Sequence, residues 1–228
     1  MHYQVLIELK RTFNVIVSVE NETSLCYYAV AMCNPQGPGV LASLLPPLVT
    51  LDWNQGRIQG APVKESHKTL NDLRTLFRDR AALESFDPGH EVYRVRWWSP
   101  VSPGTEGGLF WGLTVIHPGK VGDEYFMTHG HFHANRSRAE FYATVSGEGM
   151  LIQMNDQHET WAEIMSAGSL HYVRGENAHR IANCGSAPLV VWASWPSDAG
   201  YDYASIAQTG FGARLVEREG KAVLVAGI

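Results

Sequence analysis

The pattern of apolar and polar positions changes character near residue 91. Beyond it, short apolar runs rich in Val, Ile, Tyr and Trp alternate with turn signals such as Pro118-Gly119 and Ser146-Gly147. Several short strands at such spacing favour an all-β sandwich or barrel. The predicted elements are strands at Glu91–Trp98, Leu109–His117, Glu124–Met127, Glu140–Val145, Met150–Met154, Ser169–Val173, His179–Asn183, Leu189–Trp195 and Val223–Val225, and a short helix at Tyr203–Gln208.

Residues 65–80 are the best candidate for a longer helix. Leu70, Leu73 and Phe77 recur at helical spacing, and Ser66 is placed to cap the first turn. We therefore expect one helix to precede the region of short strands.

The first 60 residues have a weaker pattern. Phe13–Val19 alternates well enough to predict a strand, whereas residues 34–47 are rich in Pro and Gly and are expected to form a loop. Nothing in residues 1–60 suggests chemistry.

Composition narrows the class of protein. A net charge of -5 and a pI near 6.0 argue against a nucleic-acid partner, which would need a basic face. Three irregularly spaced cysteines predict no disulfide framework. The chain has no apolar run long enough to span a membrane and no signal-like N-terminus, so we expect a cytoplasmic protein without a membrane partner.

The strongest chemical signal is the segment Thr128–His133 followed by Glu140. Residues two apart on a strand share a face, so His129, His131 and His133 would point the same way if one strand ran through them. Glu140 would return beside them after a polar turn, and His179 is the natural fourth ligand. Three imidazoles and a carboxylate suit Fe, Mn, Ni, Co or Zn and leave coordination positions open for a substrate.

These residues resemble the first motif of the cupin superfamily, in which two histidines separated by one residue precede a glutamate and then a glycine. Glu140 and Gly147 keep the spacing between that glutamate and glycine. The resemblance implies an all-β cupin barrel, a double-stranded β-helix or jelly roll, with a few short helices and one divalent metal ion per subunit.

The second cupin motif is matched with one departure. Gly168, His179 and Asn183 fit it, but Arg174 and Glu176 stand where Pro and Gly are usual. The departure affects the expected shape of the turn and leaves the ligand in place.

Six residues separate His133 from Glu140, a longer gap than in most cupins, and this gap is typical of cupin-type phosphoglucose isomerases. The chain resembles that family over residues 90–225, in the blocks Gly112–Glu124, Thr128–His133, Ala178–Arg180 and Pro196–Tyr203. We therefore expect residues 61–228 to form a cupin metal-binding domain and residues 1–60 an N-terminal extension packing on the barrel.

The resemblance implies that the substrates are glucose 6-phosphate and fructose 6-phosphate, interconverted in glycolysis and gluconeogenesis by a homodimer. Thr114, Thr128 and Gly130 match positions that contact the sugar phosphate in the family, and Tyr201 is expected to bind substrate with them. Trp195 and Tyr201 stand where a Tyr and a His are common, which would alter the preference for one epimer.

Glu140 is the candidate base for an enediol mechanism, with Tyr142 assisting it by a hydrogen bond. A carboxylate bound tightly to a metal is a poor base, so a hydride shift is the alternative. Two further activities stay open at this point, namely mannose 6-phosphate isomerisation at the same site and an iron dioxygenase, besides a non-catalytic sugar-binding cupin.

The remaining histidines and tryptophans are expected to be structural or exposed. His129 is expected to be either an inward-facing spare imidazole or a partner of a metal ligand. The other residues in this class are His2, His67, His90, His117, His158 and His171, with Trp97, Trp98, Trp111 and Trp192 expected in the core or at a dimer surface.

Overall fold

The computed structural model describes residues 3–9, 13–19, 28–31, 41–43, 47–53, 56–60 and 62–227, with only the backbone in the first four ranges. The chain divides into two compact units, Met1–Leu48 and Val49–Ile228. Within the described residues, no helix has the length and apolar character needed to cross a lipid bilayer.

The first unit contains a four-stranded antiparallel sheet. Its strands are β1 (Tyr3–Leu9), β2 (Phe13–Val19), β3 (Tyr28–Ala31) and β4 (Leu41–Ser43), paired in that order. The predicted strand Phe13–Val19 is confirmed. The loop expected over residues 34–47 is wrong at β4, which pairs with β3, and residues 34–40 lie outside the described residues.

The second unit begins with the hairpin of β5 (Thr50–Asp52) and β6 (Arg57–Gln59). Buried Ile58 of this hairpin packs in a small apolar cluster with Leu113 and Val190. This hairpin thus belongs structurally with the barrel, whereas the packing of an N-terminal extension on the barrel stays a prediction.

The barrel is all-β, as the sequence predicts. Its elements are β7 (Lys64–Thr69), α1 (Leu70–Leu73), α2 (Arg80–Glu84), β8 (Glu91–Trp98), β9 (Leu109–Ile116), β10 (Lys120–Val121), β11 (Glu124–Tyr125), β12 (Glu140–Ser146), β13 (Glu148–Met154), β14 (Thr160–Ser166), β15 (Leu170–Val173), β16 (Ala178–Asn183), β17 (Leu189–Pro196), α3 (Tyr203–Thr209), β18 (Ala213–Arg218) and β19 (Lys221–Ala226). The nine strands and the short helix predicted beyond residue 90 all correspond to elements of this set.

Three antiparallel sheets form the barrel unit together with the β5–β6 hairpin. A six-stranded sheet has the order β15-β12-β17-β9-β8-β7, a three-stranded sheet the order β14-β13-β16, and a four-stranded sheet the order β10-β11-β18-β19. One buried cluster joins side chains of the first two sheets, for example Leu151 and Ile152 of β13 with Leu189 and Val191 of β17. The core therefore lies between these sheets.

The helix expected over residues 65–80 is wrong. Lys64–Thr69 is an edge strand that pairs antiparallel with β8, and helical structure in this range is limited to Leu70–Leu73 and to Arg80, where α2 begins. Thr69, not Ser66, caps this turn in a reciprocal arrangement with Asp72. The apolar residues that suggested a helix, Leu70, Leu73 and Phe77, all lie at or after position 70. Their spacing therefore carried no information about residues 64–69.

Candidate active site

His131, His133 and His179 converge although they come from two distant stretches of sequence. His131 and His179 are joined by backbone hydrogen bonds in both directions, with N···O distances of 3.2 and 3.0 Å. The ring centroid of His131 lies 4.5 Å from that of His179 and 5.6 Å from that of His133. Ring nitrogens from the three imidazoles lie within 4.8 Å of one another.

Glu140 opens β12 and lies beside these imidazoles. Its Oε1 is 2.7 Å from His179 Nε2, and its Oε2 is 3.8 Å from His133 Nε2. The carboxylate is 6% exposed, and the hydroxyl of Tyr142, two residues along the strand, donates a hydrogen bond to it. The structure thus brings together all four residues expected to hold the metal.

The free ring nitrogens fit a cation. The Nε2 atom of His131 is buried and has no hydrogen-bond partner, and the buried Nε2 atom of His179 has the Glu140 carboxylate beside it at 2.7 Å without an aligned hydrogen bond. His133 Nδ1 contacts the backbone oxygen of Arg138, and His179 Nδ1 lies 3.3 Å from the oxygen of Asn177. When one ring nitrogen donates a hydrogen bond to a backbone carbonyl, it carries the proton of the neutral ring. The other nitrogen then has a free lone pair and can bind a metal. This donor set suits a divalent transition metal.

Gly175, in the turn before β16, lets the backbone pack closely against the turn that contains Arg136 and Arg138. A Cβ added to Gly175 would lie 2.4 Å from the backbone oxygen of Arg138 and 2.5 Å from that of Arg136. Gly175 lies between Arg174 and Glu176, the two positions that depart from the cupin pattern. Close backbone packing at Gly175 therefore shapes this turn next to the oxygen that contacts His133.

His131 and Glu140 differ in charge. Burial and neighbouring His179 hold the pKa of His131 well below its usual value, so its ring is neutral. Burial alone would raise the pKa of Glu140, but His179 and His133 outweigh it and the pKa lies well below its usual value. Burial and the Glu140 charge raise the pKa of Tyr142 well above its usual value, so Tyr142 stays a donor.

His129 does not belong to this cluster. Gly130 has a φ of 78°, a left-handed conformation that interrupts the extended run, so one strand does not carry all three histidines as expected. The His129 ring packs edge-on against Tyr203 at 5.0 Å, and its Nδ1 lies 3.1 Å from the oxygen of Gly130.

A cavity of about 290 Å³ opens beside the histidines. Glu140 and Tyr142 line it, together with all four residues expected to bind substrate, namely Thr114, Thr128, Gly130 and Tyr201. Trp195 also lines it, and the indole ring covers Gly112, where an added Cβ would lie 2.8 Å from the ring.

Sequence reasoning missed several residues that line the cavity, among them Ser66, Lys68, Tyr93, Trp97 and Tyr203. Trp97 was expected in the core or at a dimer surface. Tyr203 stands in the Pro196–Tyr203 block that resembles the family, which was a usable signal. Ser66 and Lys68 lie on β7. Because a helix was expected there, the sequence did not indicate that these two residues share one face.

His129 also lines the cavity, whereas Trp98, Trp111, Trp192 and the described histidines other than His129, His131 and His179 do not. Trp98 and Trp111 stack at 5.6 Å, and Trp98 and Trp192 pack against the cluster of Ile58. His171 is buried between Glu163 and Ser169, at 2.8 Å from each. His67, His90, His117 and His158 do not line the cavity, and His2 lies outside the described residues.

Known proteins resemble the chain across this site. A family model described as glucose-6-phosphate isomerase (GPI) matches residues 67–225. The glucose-6-phosphate isomerase of Pyrococcus horikoshii is 39% identical over 183 residues, which cover 78% of this chain and 93% of the relative. The enzyme of Thermococcus litoralis is 40% identical, with 77% and 92% covered, and a putative glucose-6-phosphate isomerase 2 of Rhizobium meliloti is 38% identical, with 72% and 82% covered.

Among solved structures, an oxalate decarboxylase from Bacillus subtilis superposes with a TM-score of 0.40 and 22% identity. The superposition covers 53% of this chain and 29% of the other. The assignment rests on the match of the family model to more than half of the chain and on two relatives, from Pyrococcus horikoshii and Thermococcus litoralis, that are covered over more than nine tenths of their length. The chain belongs to the glucose-6-phosphate isomerase family, in the form built on a cupin barrel.

Proposed function

We propose that the chain interconverts glucose 6-phosphate and fructose 6-phosphate in this cavity, with one divalent metal ion per subunit held by His131, His133, Glu140 and His179. The observation that carries the proposal is the buried Nε2 atoms of His131 and His179, which make no hydrogen bond and lie with the Glu140 carboxylate at one end of a cavity whose walls hold the expected phosphate donors. Fe, Mn, Ni, Co and Zn all suit this donor set. A bound ion would polarise the substrate carbonyl as a Lewis acid.

The phosphate donors are Thr114, Thr128 and Gly130. The hydroxyl oxygen of Thr128 accepts a hydrogen bond from the Ile181 N–H at 3.0 Å, so its own hydrogen is free to be donated. Within the described part of the chain, no acceptor pairs with the Gly130 N–H. Hydroxyl and backbone N–H groups are suitable donors to phosphate oxygens.

Glu140 is the proposed base. In the enediol mechanism its carboxylate takes the proton from C2 of the aldose and returns it to C1, and the reverse reaction uses the same group. Tyr142 orients the carboxylate through the hydrogen bond that it donates. The low pKa of Glu140 makes it a weak base, so a hydride shift between C2 and C1 remains the rival route.

A specific observation favours mannose 6-phosphate as a second substrate. Trp195 and Tyr201, the two positions that depart from the family pattern, both line the cavity, and Tyr201 packs edge-on against His131 at a ring distance of 4.8 Å. A changed side chain this close to a metal ligand lies where the sugar carbonyl and its neighbouring hydroxyl must bind.

Homodimerisation and a cytoplasmic location complete the proposal. Phe141, Ile164, Leu170 and Tyr172 on β12, β14 and β15 expose between half and three quarters of their surface, and such apolar groups are typical of an interface. Cys184 is a free thiol, which agrees with a reducing compartment.

The test is a coupled assay for fructose 6-phosphate isomerisation before and after chelation, with single divalent metals added back. We expect turnover to disappear on chelation and to return with at least one of the five metals. Full turnover in metal-free protein would contradict the proposed ligand role, and no turnover on any hexose phosphate with every metal would contradict the activity.

A further inference from the structure

The edge strand β7 extends the cavity beyond the residues that family likeness identified. Ser66 and Lys68 line the cavity, as residues two apart on one strand face can. Their paired residues on β8, Val95 and Tyr93, line it too. The cavity face of the six-stranded sheet therefore continues without a break to its edge.

Lys68 is the one Lys or Arg among the described residues that line the cavity. No described carboxylate lies within 4.0 Å of its ammonium group. The arginines of the adjacent β8 differ in this respect, since Arg94 and Arg96 are engaged in ion pairs with Glu65 and Glu91. Lys68 thus brings to the cavity a positive charge that makes no ion pair, and the Asp72 carboxylate, which interacts with this charge at longer range, is hydrogen-bonded to Thr69.

The order of strands places this charge opposite the histidines. Along the sheet, the cavity is lined in turn by Glu140 on β12, Trp195 on β17, Thr114 on β9, Tyr93 on β8 and Lys68 on β7. Neighbouring strands are about 4.8 Å apart, so β7 lies about 10 Å from β9. A lysine side chain is long enough to span much of that distance while its charged end stays in contact with water.

Like the cavity, which has histidines at one end and a positive charge at the other, the substrate has a reacting end and a charged end. The reacting carbons C1 and C2 lie at one end of an open-chain hexose 6-phosphate, and the phosphate lies on C6 at the other. A phosphate monoester carries a charge of about -1.5 to -2 at neutral pH. Thr114, Thr128 and Gly130 offer hydrogen bonds to that group but no countercharge.

We propose that Lys68 supplies this countercharge, binding the phosphate of the substrate from the edge-strand side of the cavity. The inference rests on the proposed sugar-phosphate isomerase function. It makes Lys68 a residue that selects phosphorylated hexoses over neutral ones, because a charge-assisted contact is roughly twice as strong as a neutral hydrogen bond.

The test compares Lys68→Gln with Lys64→Gln, which removes the same charge from the same face of β7 at a position that does not line the cavity. We expect Lys68→Gln to raise KM for fructose 6-phosphate about 10-fold with kcat within about twofold of the original chain. Lys68→Arg should restore most of the lost affinity, and Lys64→Gln should leave KM unchanged. Thermal unfolding of each variant shows whether the fold is intact.

Binding of inorganic phosphate separates this inference from the proposed function. Its dissociation constant, measured by calorimetry on the metal-loaded protein, should rise in Lys68→Gln, stay unchanged in Lys64→Gln, and become less sensitive to added salt in the first variant alone. An unchanged constant in Lys68→Gln, or equal losses in both variants, overturns the role of Lys68 whether or not the chain turns over. Absence of isomerisation with Lys68-dependent phosphate binding would instead overturn only the activity.

Discussion

The two ends of the cavity are built differently. At the histidine end, defined by His131, His133, Glu140 and His179, the last three side chains are buried and that of His131 is partly buried. Backbone pairing and hydrogen bonds to carbonyl groups hold the imidazoles in place. At the edge-strand end, defined by Ser66 and Lys68, both side chains are exposed and lie on a strand with a partner on one side only.

The difference matches what each end of the substrate requires. Proton transfer at C1 and C2 depends on reacting groups held in a fixed geometry with water excluded. Phosphate recognition tolerates water, because the negative charge acts over a longer distance and several donors share it. We infer that changes at the histidine end reduce kcat, whereas changes at the edge-strand end reduce affinity.

The largest effect is expected from Glu140→Gln. The amide keeps the shape of the side chain but can neither accept the substrate proton nor bind a cation with a full negative charge. We expect kcat to fall at least about 100-fold, since general base catalysis contributes about 10²–10⁴. Steady-state kinetics at saturating metal measures this, with the unfolding midpoint as the control for folding.

Isotope retention then tests how Glu140 acts. With tritium at C2 of glucose 6-phosphate, exchange with solvent during turnover is expected if the carboxylate carries the proton. Full retention at C1 of the product would remove Glu140 from its role as a base and support the hydride shift, with the loss in Glu140→Gln then assigned to the metal alone.

A smaller effect is expected from Gly175→Ala, which acts on the histidine end without touching a proposed ligand. The new Cβ would meet the backbone oxygens of Arg136 and Arg138, which are not free ends that can swing away. Displacing the Arg138 oxygen should loosen His133 and lower metal affinity about 10-fold, at the lower end of the range for partners of metal ligands. Titration with Zn²⁺ against a competing chelator measures it.

Gly89→Ala is the matched control. The nearest atom to its added Cβ is 3.4 Å away, and it is the end of a flexible side chain, Asp87. Unchanged zinc affinity in Gly175→Ala, or an equal loss in both variants, would show that the backbone contact at Gly175 does not position His133.

The sequence could predict the histidine end because its signal is local and chemical. Two histidines one residue apart, a glutamate after a short turn and a histidine at the start of a strand are rare together, and each side chain has few alternatives in a folded core. One strand does not run through His129, His131 and His133, because the left-handed backbone at Gly130 depends on the packing of Phe211 and Arg180 around it. His129 nevertheless lines the cavity, as one of the two expectations for it allowed.

The edge-strand end could not be predicted in this way. Lys64–Thr69 contains no apolar residue to set a period, and its strand conformation comes from pairing with β8, more than twenty residues further along the chain. The strand β14, Thr160–Ser166, was missed for a related reason, since its character depends on pairing with β13. The period of apolar residues within one segment gives no information about which distant segment it pairs with.

The smallest effect is expected from Asp198→Asn, which tests how the loops beside the histidine end are held. The Asp198 carboxylate accepts hydrogen bonds from Arg138 Nε at 2.9 and 3.0 Å and from its terminal nitrogen at 2.8 Å, joining the turn before Glu140 to the loop that carries Tyr201. Because the pair is partly open to solvent, we expect a loss of about 1–3 °C in the unfolding midpoint at pH 7. The variant Asp156→Asn, at a single 3.5 Å contact with Arg136, should lose less.

The pH dependence of this difference has a defined sign. The hydrogen bonds from Arg138 hold the pKa of Asp198 below its ordinary value, so the pair stabilises the fold above the unfolded pKa of about 3.9 and ceases to do so as the pH falls through the lower, folded value. The unfolding midpoints of the original chain and of Asp198→Asn should therefore converge as the pH falls below about 4. Both are measured in chelator, so that loss of metal does not contribute. A difference in midpoint as large at pH 3 as at pH 7 would mean that Asp198 contributes through packing, and that its charge does not hold the loop of Tyr201 against the turn before Glu140.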